Sequence, residues 1–408
     1  MAPRGAPPGG DDPGLVTGPG GGTTVRRADR RGPGRGSGPR LVALEGLRRI
    51  DDGAYANLVL PGLLERSDLS GRDRALVTEL VYGVTRMRRA LDCAIDPHLR
   101  GALDAEVRDV LRMGAYQLLF MEVPAHAAVS TAVDCAPRRA RGLVNAVLRR
   151  VSQTPASWTD VGAELSYPDW IVERLIADLG TEPARAALEW MNRPATVTVR
   201  EDGVVQDRAS QWVVDFVGAA PGLIVADVCA GPGGKTTGLA GAGALRVTAT
   251  DVNGRRAQLV RENADRLGLE TVDVLVGDAS APPMRDATFD RVLVDAPCSG
   301  LGVLRRRADA RWRVEADAPA RLAGLQRRLL AGAAPLVRPG GWLVFSVCTL
   351  TRAETVDIDR WAEGQLAGFE AVPPPGPPWR PHGRGALLLP QDADTDGMFV
   401  LGLVRSAR

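Results

Sequence analysis

Two rhythms of apolar residues divide the chain. Between Leu41 and about Ser152, apolar positions recur every three or four residues. Examples are Leu76, Leu80, Val81 and Val84, and Val107, Val110, Leu111, Met113, Leu118 and Leu119. That spacing puts them on one face of a helix. Pro61, Pro97 and Pro124 cut the pattern into segments, as helix breakers do. A compact all-α unit over 41–154 is predicted. From about Ala220, short apolar runs alternate with helical patterns. Residues 223–228, 245–250, 272–276, 291–294 and 342–347 read as buried strands, and 400–404 as a final one. Helices are predicted from Thr236, over 254–267 and around 320–336. Repeated strand–helix units make an α/β domain over 216–408, with a mostly parallel sheet covered on both faces.

Between these units, 155–215 reads as a linking region. Ser166-Tyr167-Pro168-Asp169-Trp170 opens a helix there, and β-branched residues predict a short strand over 196–199. Residues 1–40 are mostly Gly, Pro and Arg. They hold too little apolar surface to offset the entropy of ordering, so a disordered tail is expected.

Composition narrows the class. The 408 residues are 45% hydrophobic, enough for sizeable cores. No apolar run reaches membrane-spanning length and no signal-type segment opens the chain, so a cytoplasmic protein without a membrane partner is expected. The five cysteines, Cys93, Cys135, Cys229, Cys298 and Cys348, are widely spaced. Neither a disulfide framework nor a metal site fits that spacing. Cys93 and Cys135 read as small buried residues.

Net charge is only +2, so the distribution matters more. Residues 305–313 read RRRADARWR, and smaller groups occur at Arg86, Arg88 and Arg89, at Arg138, Arg139 and Arg141, and at Arg149 and Arg150. Such clusters suit either phosphate contacts or solvated helix faces. Lys235 is the only lysine. Where every other basic residue is arginine, a single lysine marks a place for a compact ammonium.

Candidate chemistry gathers at the strand ends. The first strand runs into DVCAGPGGKT over 227–236. Glycine at such a turn lets a ligand approach the backbone. The spacing is not that of a P-loop, because only Pro232 and Gly233 separate Gly231 from Gly234-Lys235. Asp251 ends the second strand, where a carboxylate can bind ribose hydroxyls. Asp278 ends the third and can accept from an adenine amine. Each aspartate alone reads equally as a turn former or cap. Together with the glycine loop they fit an adenosine-containing cofactor.

Two further strand ends carry thiols, at Asp295-Ala296-Pro297-Cys298 and at Val347-Cys348-Thr349. One cysteine there would be unremarked core. Two, with a carboxylate beside one, point to chemistry. Carbon 5 of cytosine is a poor nucleophile. A thiolate adding to C6 makes C5 enamine-like and able to take a methyl group, after which the C5 proton and the thiol must leave.

These motifs resemble the Sun/Nol1/Nop2, or RsmB-like, family of RNA cytosine-C5 methyltransferases. The resemblance rests on 227–236, Gly277-Asp278-Ala279, 295–302, Cys348 with Glu354, and Thr395-Asp396-Gly397-Met398-Phe399. Upstream, GLVNAVLRR over 142–150 resembles the end of a NusB-like helical RNA-binding domain. The resemblance implies a Rossmann-like S-adenosylmethionine methyltransferase domain behind that all-α domain. S-adenosyl-L-methionine is then the cofactor, held by Cys229, Ala230, Gly231, Pro232, Gly233, Gly234, Lys235, Asp251, Asp278 and Asp295. Cys348 is implied as nucleophile, Cys298 as the group assisting release, Asp295 as the contact to the cytosine ring, and Lys235 as support for the loop and the catalytic geometry. The implied partner is RNA, specifically small-subunit (16S) ribosomal RNA, with no DNA partner and a monomeric chain. Transfer RNA, or a non-catalytic role in ribosome assembly, are the alternatives.

Three departures stand out. Thr349 replaces the usual serine and Thr355 the usual asparagine. Between Val199 and Gln206, most of an RNA-recognition-like subdomain is missing. Docking of RNA is therefore expected to lean on the helical domain and the 305–313 segment.

Overall fold

A computed structural model describes residues 38–407. The helical unit comprises Gly38–Asp51, Ala56–Glu65, Gly71–Arg86, Arg88–Ile95, Ala105–Leu119, Ala125–Cys135 and Arg141–Gln153. Their apolar stripes meet in one core that includes Leu80, Leu91, Leu111, Met113 and Leu148, which is the face the sequence periodicity selects. The first helix starts at Gly38, inside the stretch expected to be a disordered tail. Arg40 explains part of that order, since it is buried and its Nε donates to Gln117 Oε1 at 2.8 Å. The rest of the expected tail lies outside the described residues.

Residues 155–215 differ from a simple linker. Asp169–Leu179 and Thr181–Trp190 place Ile171, Leu175 and Leu188 in the same core as the sheet residues Val292, Phe345 and Leu403. Arg208–Val217 packs Val213 and Val217 against the other face, with Val225 and Val344. The region is thus part of the α/β body, because its apolar stripes have nowhere else to be buried. The short strand expected at 196–199 does not form. A single antiparallel bridge joins Val199 to Val205 around a tight reversal, and both valines are exposed. With no sheet edge alongside, β-branched residues alone do not sustain a strand.

The sheet has nine strands: β1 (Ile224–Asp227), β2 (Arg246–Asp251), β3 (Val272–Val276), β4 (Phe289–Asp295), β5 (Val337–Val347), β6 (Phe369–Ala371), β7 (Arg380–His382), β8 (Gly385–Leu388) and β9 (Met398–Arg405). Their order is β3-β2-β1-β4-β5-β9-β8-β7, with β6 on β9. The first five are parallel. β9 inserts antiparallel beside β5, pairing Ser346 with Val400. The order reverses between β1 and β4, and a crevice for ligands forms outside the carboxyl ends at such a point. The short antiparallel strands β6, β7 and β8 escape sequence reading because three or four residues carry too little periodicity.

Most of the 305–313 segment is an interdomain strap, which narrows its expected role in RNA docking. Trp312 Nε1 donates to Thr85 O at 2.6 Å and Arg313 to Gly53 O at 2.9 Å. Arg311 is fully buried and donates to Arg86 O, Ser166 O and Asn192 Oδ1. Arg305 and Arg306 are tied to Asp394, and to Asp207 and Asp396. The cluster at 86–89 is likewise engaged: Arg86 is buried, Arg88 pairs with Asp51, and Arg89 pairs with Asp160 and Asp169. Arg149 and Arg150 remain on the exposed face of the helical unit.

Candidate active site

The carboxyl ends of β1 to β5 surround a cavity of about 510 Å³, within the usual range for small-molecule sites. Cys229, Gly231, Asp251, Asp278, Asp295, Cys298 and Cys348 all line it. Ala230, Pro232, Gly233, Gly234 and Lys235 do not line it but shape the loop behind. Gly233 N donates to Ala230 O at 2.7 Å, and Asn263 Nδ2 holds Pro232 O at 3.0 Å.

Local sequence explains the loop. Gly231 N donates to Asp251 Oδ2 at 3.1 Å, and a Cβ on Gly231 would stand 2.6 Å from that oxygen. Only glycine permits this approach. Asp251 is buried, accepts from Asn253 N at 2.8 Å and pairs with Arg256 at 2.9 Å. Asp278 is exposed at the other end of the cavity, and the Ser280 amide on its carboxylate lowers its pKa. Burial pushes the Cys229 thiol far up, with Asp227 adding to the shift, so this sulfur is a neutral wall.

The thiols sit on adjacent parallel strands. Asp295 of β4 pairs in register with Ser346 of β5, so the turns after each bring Cys298 Sγ and Cys348 Sγ within 3.3 Å. The pair is electrically unequal. The hydrogen bond with Cys298 holds Cys348 below the usual thiol range, against burial, with help from Lys235 and Arg307. The same bond, together with burial, pushes Cys298 well up. That direction makes Cys348 the readier thiolate of the pair and Cys298 the readier donor.

Asp295 is clamped on both oxygens, by Lys235 Nζ at 2.7 Å and by Ser346 Oγ at 2.7 Å. Burial disfavours the Lys235 ammonium, but Asp295 more than offsets this and its pKa is raised. Ser210 Oγ lies 3.5 Å from the same nitrogen. The compact ammonium fits this narrow site on the cavity's inner side.

Glu354 is the residue that motif reading undervalues. It is fully buried and receives Ser299 N at 2.8 Å, Ser299 Oγ at 2.5 Å, Thr349 Oγ1 at 3.1 Å, Thr351 Oγ1 at 2.9 Å and Gln326 Nε2 at 3.1 Å. One carboxylate thereby locks both cysteine turns together. Thr349 supplies the hydroxyl that serine would. Thr355 bonds Thr351 O at 2.8 Å and His382 Nε2 at 3.1 Å. At the back of the site, Gly302 N donates to Cys348 O at 3.0 Å, and a Cβ on Gly302 would stand 2.2 Å from Gly397 O.

Asp227 gives a testable pH effect. It is fully buried beneath the loop, with Thr236 Oγ1 donating to Oδ2 at 2.7 Å. Burial raises its pKa from 3.8 to about 7, against the Thr236 bond and with the Asp295 charge. A raised carboxyl pKa stabilises the fold fully below about pH 3.8, and the contribution is lost as pH rises through about 7. The loss is on the order of 4 kcal/mol. Asp227→Asn should reduce the fall in stability between pH 4 and pH 7, measured by urea unfolding. An unchanged slope would contradict the protonated carboxyl.

Among the described residues, no helix is long and apolar enough to cross a membrane. The family model described as 16S rRNA methyltransferase RsmB/F matches residues 220–404, and the NusB family model matches 37–153. The ribosomal RNA small subunit methyltransferase B of Thermus thermophilus is 38% identical, over 91% of this chain and 98% of the relative. A putative methyltransferase of Mycobacterium tuberculosis is 36% identical, over 90% of this chain and 96% of the relative. That second alignment runs to 444 positions, so the mycobacterial protein carries several dozen residues that this chain lacks. The crystal structure of PH0851 shares the fold, with a TM-score of 0.74 at 23% identity over 90% of this chain and 98% of that one. With identities above 30% over nearly its whole length, a loop and sheet edge of this form, and a NusB-like unit in front, the chain belongs to the RsmB/F family of S-adenosylmethionine-dependent methyltransferases.

Proposed function

We propose that this protein methylates C5 of a cytosine in 16S ribosomal RNA. The observation that carries the reading is the thiol pair, 3.3 Å apart, beside the clamped Asp295. Bound S-adenosylmethionine would supply an electrophilic methyl group. Gly231 and Asp251 suit its ribose end and Asp278 its adenine amine, because bare backbone and carboxylates face that part of the cavity.

Cys348, as thiolate, adds to C6 of the cytosine and raises electron density at C5. Asp295 accepts from the polar edge of the ring and, held by Lys235 and Ser346, cannot swing away. After methyl transfer the C5 proton passes to water and the Cys348–C6 bond breaks; Cys298, as a thiol, donates to the leaving Cys348 sulfur and so assists release of the methylated base. Glu354 positions both turns for this exchange. The small-subunit target is supported by the relatives named for that substrate and by the NusB-like unit.

Bisulfite or mass-spectrometric mapping of RNA from a deletion strain tests the reading. One 16S cytosine should lose its methyl group and regain it on complementation. Loss confined to transfer RNA, or no loss at all, would overturn it.

A further inference from the structure

Five arginines lie in the 305–313 segment, and four are engaged by the protein itself. Arg305 and Arg306 are paired to aspartates, and Arg311 and Arg313 donate to backbone carbonyls across the domain junction. Arg307 differs. Its side chain is exposed and, among the described residues, makes no hydrogen bond or ion pair, yet it lines the catalytic cavity with Asp295, Cys298 and Cys348.

Its backbone is held firmly. Arg307 N donates to Val303 O and Ala310 N donates to Arg307 O, both at 3.0 Å, and the next residue, Ala308, is fully buried. The other arginine lining the cavity, Arg256, is paired with Asp251 at 2.9 Å. An arginine on a fixed backbone, its guanidinium with no carboxylate of its own among the described residues, is therefore left at the mouth beside the thiols. A cytosine entering the cavity must leave its stack and bring its own phosphodiester to that mouth. The planar guanidinium matches phosphate oxygens in a bidentate manner.

We propose that Arg307 is a substrate-binding residue that holds the phosphodiester of the target nucleotide at the rim of the cavity. This rests on the RNA-substrate reading above and adds the residue through which the backbone is gripped. The charge has a second consequence, since it also faces Cys348 and favours its thiolate.

The test compares the full-length protein with Arg307→Ala and Arg307→Lys, using in vitro transcribed 16S rRNA as the probe. Arg307→Ala should weaken binding about tenfold at moderate salt. It should also make the plot of log Kd against log salt shallower by about 0.7, the value for one single-strand phosphate contact. Arg307→Lys should restore the slope but only part of the affinity. KM for RNA should rise more than kcat falls, and affinity for S-adenosylhomocysteine should be unchanged. An unaltered slope and Kd in Arg307→Ala would overturn the proposal, as would failure of the wild-type protein to bind the transcript. If the slope falls but mapping finds no methylated cytosine, the phosphate contact stands and the C5 reaction fails. If methylation is found and the slope is unaltered, the reverse holds.

Discussion

Cys298→Ala should accumulate a covalent protein–RNA adduct, and Cys348→Ala should form none. In the proposed reaction Cys348 makes the bond to C6, so its removal should abolish the adduct and lower methyl transfer by on the order of 10³-fold or more. Cys298 is proposed to act after that bond exists. Its removal should slow turnover by about 10²- to 10⁴-fold, the usual share of a group that gives or takes a proton, while attack continues. The adduct is read as a slow-migrating, nuclease-sensitive band on a denaturing gel. An adduct in Cys348→Ala, or its absence from Cys298→Ala, would reverse the two roles. The electrostatics agree with the direction proposed, because the bond between the sulfurs lowers one thiol and raises the other.

Arg311→Ala should cost about 3 kcal/mol or more of stability, the range for stripping a buried polar network of its donor. The guanidinium is fully buried, stacks 4.0 Å above the Tyr167 ring, and serves acceptors from both domains. Burial lowers its pKa to about 10, with Tyr167 opposing the shift, so it is still charged at neutral pH. Removing it leaves Arg86 O, Ser166 O and Asn192 Oδ1 without this donor, at a junction where Arg86 and Ser166 are buried. Urea unfolding should show a lower midpoint, and Arg311→Met should not recover it, since methionine refills volume but donates nothing. An unchanged midpoint would mean the junction is held by packing alone.

Much of the α/β half is legible in sequence because its signals are local. Strand 272–276 is placed to the residue, and the other core strands differ only at their ends. The glycine loop, the acidic strand ends and the two cysteines are each marked by residue type and position. What sequence does not show is partnership. Arginine clusters look alike whether they face RNA or a neighbouring domain, and only folding shows that Arg305, Arg306, Arg311 and Arg313 are engaged while the Arg307 side chain, among the described residues, is not. Glu354 is similar: it stands in a motif, but its five hydrogen bonds come from residues spread over 299–351. The linking helices also needed the sheet, since their apolar stripes do not say which surface they cover.

Lys235 has a consequence for the chemistry of the surface. As the only lysine in the sequence, it is the only side-chain amine the protein offers, and it is 12% exposed and engaged with Asp295. Acylating agents, amine cross-linkers and lysine-directed tagging reactions therefore meet an outer surface without a lysine target. Any such reagent that couples to a side-chain amine must do so at Lys235, where losing the positive charge leaves the Asp295 carboxylate to Ser346 alone. For this chain, the role proposed for Lys235 makes side-chain amine labelling and inactivation the same event.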